Sequence, residues 1–438
     1  HIAVPLILSG ACDTVMMFTD RLFLSKVSGA DMAAVMGGGL IAFTFQTFFL
    51  GVCNYSNAMV ANRYGAGEPR KCPAVTTQAL IIALCTWPLM LVCIPAGYGI
   101  FQVAGIAPEQ AKPQRIYYTV LMFGSIIPLV RNCLANFFSG IGRTKIVMLV
   151  SFVTMFANVG LNYMLVFGKC GLPALGILGS GIGTVIAGAI GLTVLLVAYV
   201  RFDRTGEFGI RYSLRFNRGI MAELWRKGSP MGFELLLNLV AFTTLVTTFH
   251  SCGSAVATAI TIAFNWDMVS FVPMIGLNTA VMSLAGRYCG SRELHLVNRS
   301  AWSGMKLSAL YSAVLTLLYF SAPGHLVDLF LTHGEAARNP EVRDMAIFMV
   351  RLIYVYVFCD GVLQVFGGAL RGTGDTLWAM VASVIMHWTF ALIAVVMLRY
   401  LGMGAEITWV AVIVVFLCYG PLFMWRFMSG KWRKTLRV

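Results

Sequence analysis

Six carboxylates sit where a carboxylate is expensive. Asp13, Asp20, Glu234, Asp267 and Asp360 fall inside long apolar runs, and Asp375 stands at the mouth of another. At the centre of a hydrocarbon layer a charged side chain costs about 2.5–3.5 kcal/mol on insertion scales, so each survivor needs a reason. Desolvation disfavours the charged form of an acid, so such a group either carries a proton or, ionised, ligates a sodium ion. An ion-coupled exchanger needs that chemistry: one site alternating between loaded and empty. Asp13 and Asp20 lie two helical turns apart and share a face, with Met16, Met17 and Phe18 between them. At ~1.5 Å per residue, Asp20 lies roughly 10 Å further along the helix. Glu234 and Asn238 are one turn apart, Asp360 shares a face with Gln364, and Asp267 follows Asn265-Trp266.

Each acid also has a structural reading. Asp20 adjoins Arg21, although successive helix positions diverge by about 100°, which makes a direct pair awkward. Asp13 is either a second proton site or a neutral, hydrogen-bonded acid. Glu234 and Asp267 either form a cluster or are buried acids satisfied by Asn265, Thr261 or backbone. Asp375 has Arg371 four residues earlier as a charge partner at the membrane face.

The elements that must hold these groups are legible from composition. The chain has 438 residues, 58% of them hydrophobic and only 11% charged, with mean hydropathy +0.80. A soluble domain is nearer half apolar and a quarter charged, so this chain is an all-α integral membrane protein. Runs long enough to cross a ~30 Å core are placed at 2–25, 31–58, 74–103, 114–139, 145–167, 178–201, 228–250, 254–285, 301–330, 343–370, 376–400 and 406–428. These twelve helices divide into an N-terminal lobe (1–201), a cytoplasmic linker (202–227) and a C-terminal lobe (228–438). The even-numbered loops and C-terminal tail carry 22 Lys and Arg, against seven in the odd-numbered loops. Arg21, Arg131 and Arg351 lie within spans. The positive-inside rule then places both termini and the linker in the cytoplasm. The net charge of +14 records topology, and no nucleic-acid partner is expected. Eleven cysteines form no C-x-x-C pair and read as small buried hydrophobes. The chain opens at His1, so a preceding segment is expected, and no cleavable signal can be judged.

The two halves repeat at an offset of about 225 residues. Pro5 pairs with Pro230, Gly29 with Gly253, and Arg63-Tyr64 with Arg287-Tyr288. Ser139-Gly140-Ile141-Gly142-Arg143-Thr144 pairs with Arg371-Gly372-Thr373-Gly374-Asp375-Thr376. Because six spans is an even number, the halves face the same way. They form two six-helix bundles related by a pseudo-two-fold along the membrane normal, with a substrate site between them near the midplane.

These residues carry a family resemblance. Asp20 followed by Ser28-Gly29-Ala30-Asp31-Met32-Ala33-Ala34-Val35 resembles the opening of multidrug and toxic compound extrusion (MATE) transporters of the NorM-like branch. Phe137–Lys145, Asn162–Gly168 and Gly176–Thr184 resemble spans four to six of that family, and Ser229–Gly232 and Leu370–Thr376 fit its second half. The resemblance implies that Asp20 is the N-lobe coupling carboxylate, with Asn162 a polar family position. It implies a glutamate where this chain has Asn238, and an acid linked to sodium coupling at Asp375. The acid of the DinF-like branch is replaced by Val166.

The expected function is therefore proton- or sodium-coupled export of small organic, cationic substrates by alternating access. No cofactor and no resident metal are expected beyond transient sodium at the same carboxylates, and the chain is expected to act as a monomer in the cell membrane. Phe43, Phe45, Phe48 and Phe49, with Met16 and Met17, are the residues suited to line an adaptable cavity, since thioethers and ring faces accept flat cations. The alternative of similar architecture, a lipid-linked oligosaccharide flippase, would call for several intramembrane Arg or Lys where only three occur. A membrane-embedded enzyme is remote: the chain has no HExxH or GxSxG, its six His are dispersed, and without a Walker motif ATP drive would need another subunit.

Overall fold

Proline positions explain where the spans bend. A proline ring clashes with the carbonyl four residues earlier and removes one helical hydrogen bond. In the computed structural model, which describes residues 2–27, 29–103, 108–203, 206–331 and 340–437, helices end at Val92, Phe123 and Leu417. These ends lie just upstream of Pro95, Pro128 and Pro421. Only helices and short helical turns occur among the described residues, with no strand.

The first half holds α1 (Ala3–Ser25), α2 (Gly29–Gly65), α3 (Cys72–Val92), α4 (Ile94–Val103), α5 (Pro108–Phe123), α6 (Ile126–Gly140), α7 (Thr144–Phe167) and α8 (Gly176–Phe202). The second holds α9 (Arg218–His250), α10 (Ser254–Gly290), α11 (Leu294–Ser321), α12 (Pro323–Asp328), α13 (Pro340–Arg351), α14 (Ile353–Gly372), α15 (Thr376–Val395), α16 (Ala405–Leu417) and α17 (Tyr419–Met428). All twelve expected spans are helical. Among the described residues ten helical stretches are long and apolar enough to cross a membrane, and α5 with α6, bent by 45°, makes an eleventh. The helix at the ninth place, α11, has the length but is more polar, because its first turns carry His295, Asn298, Arg299, Ser303 and Lys306.

The chain forms two compact units, residues 1–233 with 290–292, and 234–289 with 293–438. In the first, α2 packs against α3, α5 and α6, and α7 against α1 and α8. In the second, α14 packs against α11 and α17, and α15 against α16. The repeat reaches the backbone. Arg143 N–H bonds the Phe138 carbonyl (2.8 Å) around Gly142 at φ +80°, and Asp375 N–H bonds the Leu370 carbonyl (2.9 Å) around Gly374 at φ +89°. Both turns need a left-handed residue, and glycine supplies it without strain. Ser28, Arg338, His333 and the side chains of 29–33 and Arg437, part of the motif and topology readings, lie outside the described residues.

The polar stretch between the halves is not all loop, since α9 already starts at Arg218. The remainder is strapped to the first unit. Asp203 accepts the backbone N–H groups of Phe208, Gly209 and Ile210 at 3.0, 3.1 and 2.6 Å. Phe208 packs on Phe137 and Phe202. Buried Gln78 donates to the Arg215 carbonyl (2.9 Å) and accepts from Asn217 N–H (3.1 Å). Gln78→Ala strands both backbone groups, at a cost of about 1–3 kcal/mol if they stay buried. We expect the variant to be cut by trypsin at Arg215 and Arg218 faster than wild type, measured on the purified protein.

Candidate functional site

The acids divide into two classes by what neutralises them. Three face arginine. Asp13, half exposed, lies 3.7 Å from Arg131 Nη2, which ties α1 to α6. Glu234 accepts two hydrogen bonds from Arg371, Nε to Oε2 at 3.2 Å and Nη2 to Oε1, which ties α9 to α14. Asp375, at the start of α15, accepts from Arg426 Nε at 2.8 Å, and that guanidinium also lies over the Trp378 ring. In both repeats, then, the first helix is tied to the fourth-span helix by an acid–arginine pair. Arg371 is not the partner expected for Asp375: it turns to Glu234, leaving Arg426, 51 residues further on, to pair with Asp375.

The other three acids have only neutral partners among the described residues. Asp20, 7% exposed, accepts from Asn162 Nδ2 at Oδ1 and from Thr184 Oγ1 at Oδ2 (3.4 Å). Asn158 Nδ2 in turn donates to Thr184 at 3.3 Å. No ion pair joins Asp20 to Arg21 among the described residues. Asp267 accepts from the Tyr356 hydroxyl at 2.7 Å, not from Asn265 or Thr261, which bond backbone on their own helix. Buried Asp360 accepts from Gln364 Nε2 at 3.3 Å, and its carboxylate lies within electrostatic reach of Asp267. Glu234 therefore shares its place with Arg371, whereas Asp267 shares its own with Tyr356 and Asp360.

Close helix contact builds the Asp20 site. A Cβ on Gly183 of α8 would fall on Asn162 Oδ1 of α7, and one on Gly179 would come within 2.6 Å of the Leu165 carbonyl oxygen. The Gly179-Ser180-Gly181-Ile182-Gly183 run thus serves packing. Gly183→Ala displaces the amide that holds Asp20, with about 1–3 kcal/mol of overpacking. We expect slower ion-driven transport with a normal monodisperse elution profile, checked by efflux and size-exclusion chromatography.

Sequence reasoning missed several polar partners. Asn54 accepts from Asn132 (2.9 Å) between α2 and α6, and Asn278 donates to the Gln364 side chain (3.2 Å) between α10 and α14. These amide pairs occupy matching places in the two repeats, so the repeat arithmetic would have found them. In the second unit Asn238 donates to Ser383 Oγ (2.8 Å), which also accepts from the Tyr419 hydroxyl (2.7 Å) beside His387. Of the aromatic residues expected in one cavity, Phe45 and Phe49 pack with Met90, Phe101, Tyr118 and Met122, Phe48 meets Phe233 edge to face, and Phe43 and Met17 are exposed. No group of three metal-ligating side chains occurs among the described residues. Among the described residues no cysteine is in a disulfide.

Comparison with known proteins places the fold. The MatE family model matches residues 5–164 and 230–397. A probable multidrug resistance protein NorM of Thermotoga maritima is 25% identical over 99% of this chain and 92% of its own. The corresponding Pseudomonas aeruginosa protein is 27% identical over 93% of this chain and 84% of its own. Among solved structures, a MOP superfamily transporter from Pyrococcus furiosus superposes with TM-score 0.88 at 19% identity, over 99% of this chain and 95% of that one. The outward-facing conformation of a multidrug resistance MATE family transporter gives 0.88 at 19%, over 98% and 94%. At such identity these structures speak to the fold alone.

Proposed function

The chain belongs to the MatE family, and on that premise we propose that it is a secondary active exporter in which organic cations leave as protons or sodium ions enter. It is a multi-pass membrane transporter, not an enzyme. Multidrug resistance is what its NorM relatives are named for. The division of the acids carries the reading. An acid held by arginine is neutralised in place, and releasing it means breaking a pair. An acid held only by amides and hydroxyls has no paired counter-charge, Arg21 acting on Asp20 only at a distance, so a proton or sodium ion supplies it and can leave again.

Asp20 is the leading exchange site of the first unit. Asp267 and Asp360 form the corresponding site of the second, where like charges repel until a cation binds between them. Glu234, Asp375 and Asp13 brace helices. Asn162 orients Asp20, and Asn238 belongs to a separate polar cluster. Loading and unloading accompany alternating access between the lobes, with both termini cytoplasmic, in the cell membrane, and with the protein working as a monomer. It holds no resident cofactor and takes H+ or Na+ from the gradient.

The test is accumulation of a fluorescent organic cation in proteoliposomes under separately imposed proton and sodium gradients. Movement driven by either gradient alone is expected. Failure under both would overturn the reading.

A further inference from the structure

The second unit holds a titratable base that this reading leaves unused. His387 sits midway along α15 with Nδ1 2.8 Å from the Ser383 carbonyl oxygen. A carbonyl only accepts, so Nδ1 carries the hydrogen and Nε2 keeps its lone pair. No described side chain partners Nε2. The Tyr419 hydroxyl, 3.0 Å from Nδ1, donates to Ser383 Oγ, and Asn238 Nδ2 donates to the same oxygen. Asn238 Oδ1 is buried without a donor. The ring is held edge-on by Tyr419 and tilted against Phe390, at centroid distances of 5.6 and 5.7 Å.

The charged groups facing His387 come from α9 and α14. Glu234 and Arg371 both lie within electrostatic reach. Because they are paired with each other, their opposing fields largely cancel at the imidazole. Asp360, also on α14, acts on Tyr419.

We infer that His387 is a second proton-accepting residue of this transporter, distinct from the carboxylates, binding its proton at Nε2 and excluding an organic cation from the second unit while protonated. The inference rests on the proposed exchange of organic cations for protons. In the step, water delivers one proton, a single N–H bond forms at Nε2, and the ring gains one positive charge. Tyr419 and Ser383 position the ring. Like charge then makes proton and organic cation mutually exclusive in that unit, which is what antiport requires.

The experiment measures protons released when ethidium binds the purified full-length protein in weakly buffered detergent, together with the ethidium Kd, between about pH 5 and 8. Wild type, His387→Gln and Asp20→Asn are compared. His387→Gln is expected to lose part of the release and to flatten the pH dependence of Kd, with binding at the alkaline end unchanged within twofold. Unchanged release and an unchanged pH slope would overturn the inference. If Asp20→Asn alone loses release, His387 fails and the exchange reading stands; if wild type releases none, the inference and proton exchange both fail, and sodium alone is left to the exchange reading. Tyr419→Phe, which removes one hydroxyl, is expected to shift the pH midpoint without abolishing release. Should His387→Gln not fold, NMR of the wild-type imidazole decides: an Nε2 signal that does not titrate between pH 5 and 9 overturns the inference.

Discussion

Asp20→Asn is expected to collapse gradient-driven accumulation of an organic cation while leaving the protein folded. For one-for-one exchange, a gradient of one pH unit sustains about a tenfold concentration ratio, equivalent to about 1.4 kcal/mol. The variant should bring that ratio to about one. The substitution is nearly isosteric and removes the only group in the Asn158–Asn162–Thr184 cluster that changes charge. The remaining donors stay in place, and an amide at position 20 still accepts from Asn162. Binding of the cation at equilibrium should therefore survive. Asp13→Asn is the control: it removes an acid already neutralised by Arg131 and not one held by neutral groups alone, so coupling should persist. The measurement is ratiometric accumulation of the same cation for the two variants in parallel. Full accumulation by Asp20→Asn would remove that carboxylate from the exchange.

Why Asp20 stood out and the arginine partners did not is a matter of range. Spans are written locally: a run of about 20 apolar residues declares a helix wherever it lies. The breaks at Val92, Phe123 and Leu417 are equally local, set by Pro95, Pro128 and Pro421 through the carbonyl four residues upstream. Pairing is not local. Arg371 stands one helical turn before Asp375 and looks like its partner, yet it reaches Glu234, 137 residues away. Periodicity says which residues share a face but not which face of another helix meets it. Family resemblance marks Asn162 only as a polar position; its contact with Asp20 is not legible in the sequence, since 142 residues separate them. His387 was visible as a histidine in an apolar span, but its partners Ser383 and Tyr419 become meaningful only when α15 and α17 lie together. The amide pairs Asn54–Asn132 and Asn278–Gln364 could have been found, because the repeat offset maps one onto the other.

The Glu234–Arg371 pair yields the second large effect. With both partners present the charges neutralise each other and share two hydrogen bonds. With one removed, the survivor is a bare charge in a nearly closed site, where Glu234 is 4% exposed. Breaking a buried pair from one side costs about 3–5 kcal/mol, whereas replacing both members with apolar groups of similar volume is often neutral. Arg371→Ala is therefore expected to lower the thermal midpoint by on the order of 10 °C. Arg371→Lys should recover only part of this, because an ammonium cannot make the two parallel bonds of a guanidinium. The double variant Glu234→Leu with Arg371→Met should recover most of it, despite removing more native contacts. Fluorescence-detected size-exclusion chromatography after graded heating reads all three variants. If Glu234 served as an exchange site, its midpoint in the Arg371→Ala background would respond strongly to sodium; as a brace it should not. A double variant no more stable than Arg371→Ala would mean that the pair is not the reason these helices stay together, and the division of acids into braces and exchange sites would have to be redrawn.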